Sequence, residues 1–332
     1  MRTLASVFAL AAATILNAAV HTVSNEPGYP AQHTNLTDAY AAASPNDTLY
    51  ITGSATGYGD INLEKPLALI GTGYNNGGAA SNISTIYCSA GSSGSKFIGL
   101  SGSYIYLSYF TDNTDMLIER SRLSGVQVYA GAMDGLIVKH CVIQSGIYMN
   151  NTTTNALITS NIIQGQVQSS TSPSVLISNN IFANNGSWAL GSISYAVVSN
   201  NIFYGSAPSI DGNAVENCAF NNNLSFGTTD DDLPPTGTNV GSGNQVGVDP
   251  LFVNVPDFNG APEYDYQLQA GSTGNNAGTD NTDLGVYGGG NPLQGVFDGR
   301  ARIPLVTNFI INNSTIAEGG SLNVTVEGRK ND

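Results

Sequence analysis

Four basic side chains fall in two short stretches of an otherwise charge-poor chain: Arg120 and Arg122, then Lys139 and His140. Glu119 adjoins the first pair, and Asp112, Asp115 and Asp134 lie nearby. Such a set suits elimination chemistry on a uronate sugar, in which a basic side chain takes the proton α to the carboxylate while Ca²⁺ or an Arg neutralises that carboxylate. The same residues suit a cross-strand set of ion pairs that fixes register and does no chemistry. Carboxylates for acid and base roles in glycoside hydrolysis occur at Asn113-Thr114-Asp115, at Asn281-Thr282-Asp283 and at Asp230, Asp231 and Asp232. The acidic loops at 230–232 and 280–283 also offer oxygen ligands of the kind Ca²⁺ takes. No Cys-x-x-Cys and no His pair at zinc-ligand spacing occurs, so no other metal or organic cofactor is expected. Trp188 and tyrosines such as Tyr104, Tyr106, Tyr129, Tyr148, Tyr195 and Tyr204 have rings that either pack or stack on sugars.

The basic residues sit inside a block that recurs about every twenty residues, at 116–123, 136–143, 156–163, 175–182, 196–203 and 218–225. A fixed period of this size marks stacked copies of one supersecondary unit. The first, third and eighth positions are mostly apolar (Met116, Ile118 and Leu123; Ala156, Ile158 and Ile163), which is strand alternation around a turn. The sixth position holds Ser121, Cys141, Asn161, Asn180, Asn201 and Asn223. Asn tolerates left-handed backbone geometry, and stacked amides hydrogen-bond from copy to copy, so this column predicts an asparagine ladder at a bend. A helical solenoid is excluded: Ile, Val, Thr, Asn and Gly dominate, and no block sustains an i, i+3, i+4 stripe. With the blocks at 116 and 136 aligned, Glu119 falls beside Lys139 and Arg120 beside His140 on neighbouring coils.

These repeats resemble those of right-handed parallel β-helix proteins, the pectate-lyase-like fold shared by pectate lyases, polygalacturonases and many secreted bacterial proteins. Residues 37–51 are similar to the short capping helix and first strand that open such domains, and 65–74 to their first full coil. Asp249-Pro250-Leu251-Phe252-Val253-Asn254, with 265–272 and 283–289, is similar to their closing passage. The resemblance covers about residues 30 to 295 and implies an all-β right-handed solenoid. It does not fix an activity, because one fold hosts many functions. The Gly-His-Gly and Arg-Ile-Lys signatures of polygalacturonases and the Arg-x-Pro-x-x-Arg pattern of pectate lyases do not occur.

The expected organisation is a signal peptide at 1–19, a lead and N-terminal cap at 20–48, the solenoid at 49–226, a closing excursion at 227–302 and a strand pair at 303–332. Leu4 to Leu16 is apolar and ends in Ala18 and Ala19, which points to secretion into the periplasm, the medium or the cell surface. No later stretch has the length to span a bilayer. A net charge of −14, from 24 acids against 10 bases, disfavours nucleic acid and anionic membranes as partners. Cys88, Cys141 and Cys218 read as small buried hydrophobes.

Two further columns are apolar yet should point outward: Leu117, Ile137, Leu157, Leu176 and Val197 at the second position, and Val142, Ile162, Ile181, Ile202 and Leu224 at the seventh. They require either coverage by residues 227–332 or an oligomer or ligand surface. The functional expectation is a non-catalytic carbohydrate-binding or cell-surface interaction module, with a polysaccharide or cell-surface glycan as partner. The alternative is a lyase or glycoside hydrolase on uronate-containing polysaccharide, with Arg120, Arg122, Lys139, His140 and Glu119 as its residues.

Overall fold

A computed structural model describes residues 18–75, 78–149, 152–169, 174–186, 188–209, 215–293, 295, 297, 299–300, 305–312 and 319–329. The expected signal peptide falls almost wholly outside them. Short parallel strands coil into a β-solenoid with three faces. One sheet has eleven strands, from Val20–Val23 through Leu117–Glu119, Ile137–Lys139 and Leu157–Thr159 to Val240–Ser242. A second has twelve, including Asn82–Cys88, Ser101–Leu107, Arg122–Val128 and Val142–Met149. A third pairs Asn113–Thr114, Met133–Asp134 and Thr153–Thr154. Each block supplies one strand of the first sheet, a bend, and the start of a strand of the second. Ile118, Val138 and Ile158 are in register in successive coils.

The core is the column stack that the apolar positions predict. Ile118, Val138, Ile158, Ile177, Val198 and Phe220 at the third position are fully buried, as are Ile143, Ile163, Phe182 and Phe203 at the eighth. The rings of Phe182 and Phe203 stack at 5.1 Å and 7°. Burying a side chain of this size contributes roughly 1.5–3 kcal/mol, and repetition in every coil makes the stack cooperative. At the bend, each ladder amide serves its neighbours. Asn161 N and Nδ2 both donate to Asn180 Oδ1, Asn180 does the same to Asn201, and Asn201 to Asn223, all at 2.9–3.0 Å. The left-handed residue is not the ladder amide but the one before it: Arg120, His140, Ser160, Asn179, Asn200 and Asn222 have φ of +50 to +60°, continued by Gly99 and Gly243. Turning the chain there aims the next side chain inward, where its amide spans two coils.

Helix Leu36–Ala42 covers the N-terminal end, with Asn35 accepting from Asp38 N at 2.8 Å as N-cap. The parallel sheet runs past the 49–226 span at both ends. Strand Val20–Val23 pairs with Thr48–Ile51, and Val240–Ser242 with Ala219–Asn221. The last coil is hidden in the sequence because Gly241 stands at its third position, in register with Phe220. A Cβ there would lie 1.6 Å from Phe220 O, so no apolar marker fits.

After this coil, Phe252–Asn254 and Asp265–Leu268 pair antiparallel, and the chain returns along the solenoid towards its N-terminal coils. Phe252, Tyr266, Leu284, Val286, Leu293 and Phe297 bury a second core against Val142, Ile162, Ile181, Ile202 and Leu224. The seventh-position column is thereby covered from within the chain and is no oligomer surface. The second-position column stays half-buried to exposed, with Leu176 and Val197 exposed. Leu305–Ile311 and Val324–Arg329 form a separate antiparallel pair on which Ile311, Val324 and Val326 are exposed. No helix among the described residues is long and apolar enough to cross a membrane.

Candidate functional site

The expected ion cluster forms, and the returning segment covers half of it. Lys139 Nζ lies 3.6 Å from Glu119 Oε2, and Arg120 Nε and His140 Nδ1 lie 3.8 and 3.9 Å from Glu119 Oε1. These separations exceed those of good charge-assisted hydrogen bonds. Burial raises the Glu119 pKa, but His140, Lys139 and Arg120 outweigh it and hold the carboxyl below its ordinary value. Arg120 and His140 are only 4% and 3% exposed. Arg120 Nη1 donates to Arg300 O at 3.4 Å, and His140 Nε2 donates to Asn291 O at 2.9 Å. The same bend column continues upward: Asn179 Nδ2 donates to Gly285 O, Asn200 Nδ2 to Thr279 Oγ1, and Asn222 Nδ2 to Ala277 O. Its role is to clasp the returning chain to successive coils at Ala277, Thr279, Gly285, Asn291 and Arg300.

Arg122 belongs elsewhere. It follows the bend and opens a strand of the second sheet, paired with Ser101 and Val142. The nearby carboxylates serve a different bend: Asp112 accepts from Ala132 N at 2.8 Å, and Asp134 from Thr154 Oγ1 and Asn155 Nδ2 at 2.6 and 2.8 Å. Asn113 is buried and donates to Cys88 O. In the closing segment, Asp280 and Asp283 accept from Thr282 and Asn276 of their own turn. No three His, Cys, Asp or Glu side chains gather as a metal site among the described residues. A shallow groove of about 290 Å³ opens between the second-position column and the returning segment, lined by Leu157, Leu176, Thr159, Ser178, Ser199 and Asp280.

The second sheet carries the feature with most chemistry to offer. Tyr87 and Tyr106 stand opposite each other in adjacent coils with rings 5.4 Å apart and 8° from parallel; Tyr104, two residues before Tyr106, is stacked at 5.7 Å. Strand alternation puts all three on the outer face. At the following bend Tyr109 lies 4.9 Å from Tyr87 and 5.2 Å from Tyr129, and Phe110 5.1 Å from Tyr129. Six rings thus form one continuous cluster across three coils. Burial first, then the neighbouring phenols, push the Tyr106 pKa upward, so its hydroxyl stays neutral. Phe110 is 69% exposed and Tyr129 43%. Phe110 has φ +56°, a left-handed conformation that is a genuine outlier for a bulky residue. Outward positions in register with the rings hold Asn62, Thr85, Gln127, Tyr148 and Gln168. Gly125 lets Tyr104 lie flat, since a Cβ there would meet its ring at 2.6 Å.

Of the aromatics singled out in the sequence, Tyr104, Tyr106 and Tyr129 join this cluster. Tyr148 shares its face and donates to Ser145 O at 2.9 Å. Tyr195 is exposed at a separate bend, Trp188 is half-buried, and Tyr204 lies in the second core. Tyr87, Tyr109 and Phe110 were not singled out. The Tyr104-x-Tyr106 alternation, with Tyr87 about one period earlier, is the signal that finds Tyr87. Tyr109 and Phe110 carry none, because the bend that brings them there has no repeat signature. No protein-family model matches the chain, and no curated protein was found similar to it.

Proposed function

We propose that this protein is a secreted, non-catalytic carbohydrate-binding β-solenoid that takes a neutral polysaccharide across the aromatic face of its second sheet. The observation that carries this reading is the ring cluster of Tyr87, Tyr104, Tyr106, Tyr109, Phe110 and Tyr129. Flat, amphipathic rings stack on the apolar faces of sugars, and the hydroxyl and amide groups of Thr85, Gln127 and Gln168 suit hydroxyl ligands. Coils repeat at about 4.8 Å, so the face offers a similar contact at each step along an extended glycan. Arg122 is the only charged residue on the four strands Asn82–Cys88, Ser101–Leu107, Arg122–Val128 and Val142–Met149. With a net charge of −14, this favours a neutral over a uronate ligand. Enclosure of Arg120 against Arg300 and of His140 against Asn291 favours binding over lyase chemistry, which needs a base that reaches substrate. The apolar leader agrees with a place outside the cytoplasm, as does the resemblance to secreted β-helix proteins.

The test is affinity electrophoresis and calorimetry of the purified chain against neutral and acidic polysaccharides, with reducing ends and unsaturated products followed in parallel. Retention by a neutral glycan, weakened more than about fivefold by Tyr106→Ala or Tyr129→Ala as expected of interface hot spots, supports the reading. Retention unaffected by both substitutions overturns the site, and release of unsaturated products restores the lyase.

A further inference from the structure

The N-terminal edge of the first sheet holds a chain of three side chains that neither the ion cluster nor the aromatic face uses. His21 lies on strand Val20–Val23, His33 ends the loop that returns to that strand, and Asp47 directly precedes Thr48–Ile51. The loop is fixed by pairing of Val23 with His33, by His33 N donating to Thr22 O and by Ser24 N donating to His33 O, both at 3.0 Å. Gln32 and Thr22 reinforce it through two side chain to backbone hydrogen bonds.

His21 Nε2 stands 3.1 Å from Asp47 Oδ2. Asp47 also accepts from Ser44 N at 2.8 Å, a backbone donor to an ionised carboxylate that lies beyond the expected signal peptide. A carboxylate only accepts, so the Nε2 of His21 carries the proton and its Nδ1 presents the lone pair. That Nδ1 faces the Nε2 of His33 at 3.4 Å, with ring centroids 5.5 Å apart. Two nitrogens bound at 2.0–2.1 Å to one tetrahedral ion stand about 3.3–3.4 Å apart. The observed spacing lies at the outer limit of a hydrogen bond and equals that of this chelate. A carboxylate behind a ligating imidazole is also the usual outer-shell partner that fixes its tautomer.

We propose that His21 and His33 form a two-imidazole site for a transition-metal dication of the Zn²⁺ or Ni²⁺ type, with Asp47 as positioning residue and water completing the coordination. Imidazole suits these ions, while Ca²⁺ and Mg²⁺ call for oxygen ligands that Asp47, already engaged, does not supply. The ion ties the outermost strand of the sheet to its return loop.

The experiment is calorimetric titration of the full chain, purified without an oligohistidine tag, with Zn²⁺ and separately with Ni²⁺. One ion per chain is expected, with a rise in melting temperature that a chelator reverses. His33→Ala abolishes both while leaving the melting temperature in chelator unchanged, since the ring is half-exposed. Asp47→Asn keeps the stoichiometry and weakens affinity about 10–100-fold. The third histidine, His140, is enclosed against Asn291 O and does not compete. Absence of binding, or binding of equal affinity by His33→Ala, overturns the proposal and leaves the two rings as a hydrogen-bonded pair.

Discussion

Replacing Asn201 by Ala removes the centre of the amide ladder, and its cost follows from the groups left behind. Asn201 is fully buried. Its Nδ2 donates to Ile177 O at 2.9 Å and to Ser199 O and Asn223 Oδ1 at 3.0 Å; its Oδ1 accepts from Asn180 N at 2.9 Å and Asn180 Nδ2 at 3.0 Å. After truncation the Asn180 amide N–H loses this acceptor inside the protein, which costs about 1–3 kcal/mol. Asn180 Nδ2 keeps Ile158 O, and Asn223 Oδ1 keeps Asn201 N. The remaining losses are therefore ordinary hydrogen bonds at about 0.5–1.5 kcal/mol each. With the two N–H bonds of Asn201 Nδ2 and the one from Asn180 Nδ2 lost beside it, the sum is about 2.5–7.5 kcal/mol. Asn244 at the open end of the ladder accepts from Asn223 N and Nδ2 and donates to Phe220 O, but it is half-buried, so water replaces what Ala removes. Its truncation should cost about 1 kcal/mol. Urea unfolding followed by circular dichroism reads both as midpoint shifts at constant slope. An Asn201→Ala loss below about 1 kcal/mol, or equal losses at 201 and 244, would refute the ladder as a source of stability.

Three further outcomes are expected. The thiols of Cys88, Cys141 and Cys218 are buried and raised by desolvation, that of Cys141 to about 12; none should react with Ellman's reagent at pH 8 until urea unfolds the chain, and fast labelling of the folded protein contradicts their enclosure. Glu119 is held below its ordinary pKa, so its stabilisation is present above the ordinary carboxylate range and is lost as pH falls through the folded value; Glu119→Gln should lower stability by about 1 kcal/mol at pH 7 and by progressively less below about pH 4, and a gap that widens in acid is inconsistent with this. Gly205 has φ +69° and a Cβ there would lie within 2.6 Å of the Phe258 ring, so Gly205→Ala should displace Phe258, cost about 1–3 kcal/mol and speed proteolysis within residues 249–268; an unchanged digestion pattern would show that the ring does not hold that segment.

The solenoid was legible because its information is periodic. Each coil must fill the same interior, so Ile118, Val138, Ile158, Ile177 and Val198 repeat one chemical demand, and the amides of Asn161, Asn180, Asn201 and Asn223 repeat another. The same logic placed Glu119 beside Lys139 and Arg120 beside His140, because register fixes neighbours in a parallel sheet. Where the repeat lapses, the sequence was silent: Gly241 conceals a coil, and the left-handed residue sits one place before the ladder amide, at positions as unlike as Arg120 and Asn222.

What the sequence by itself determined is the architecture: strands rather than helices, the coil period, the inward columns and the ladder, all local patterns enforced copy after copy. The tertiary structure alone decided which outward groups remain available. The return of the chain through Ala277, Gly285, Asn291 and Arg300 enclosed Arg120 and His140, and the second core covered the seventh-position column, since a segment without a repeat leaves no mark on the coils it covers. The aromatic face was assembled by stacking Tyr87, Tyr106 and Tyr129 from three coils, and His21 met His33 through a loop bridge. The coil period encodes the Tyr87 and Tyr106 register, but the bend that adds Tyr109 and Phe110 and the loop that brings in His33 lie outside the repeat, so no spacing marks them.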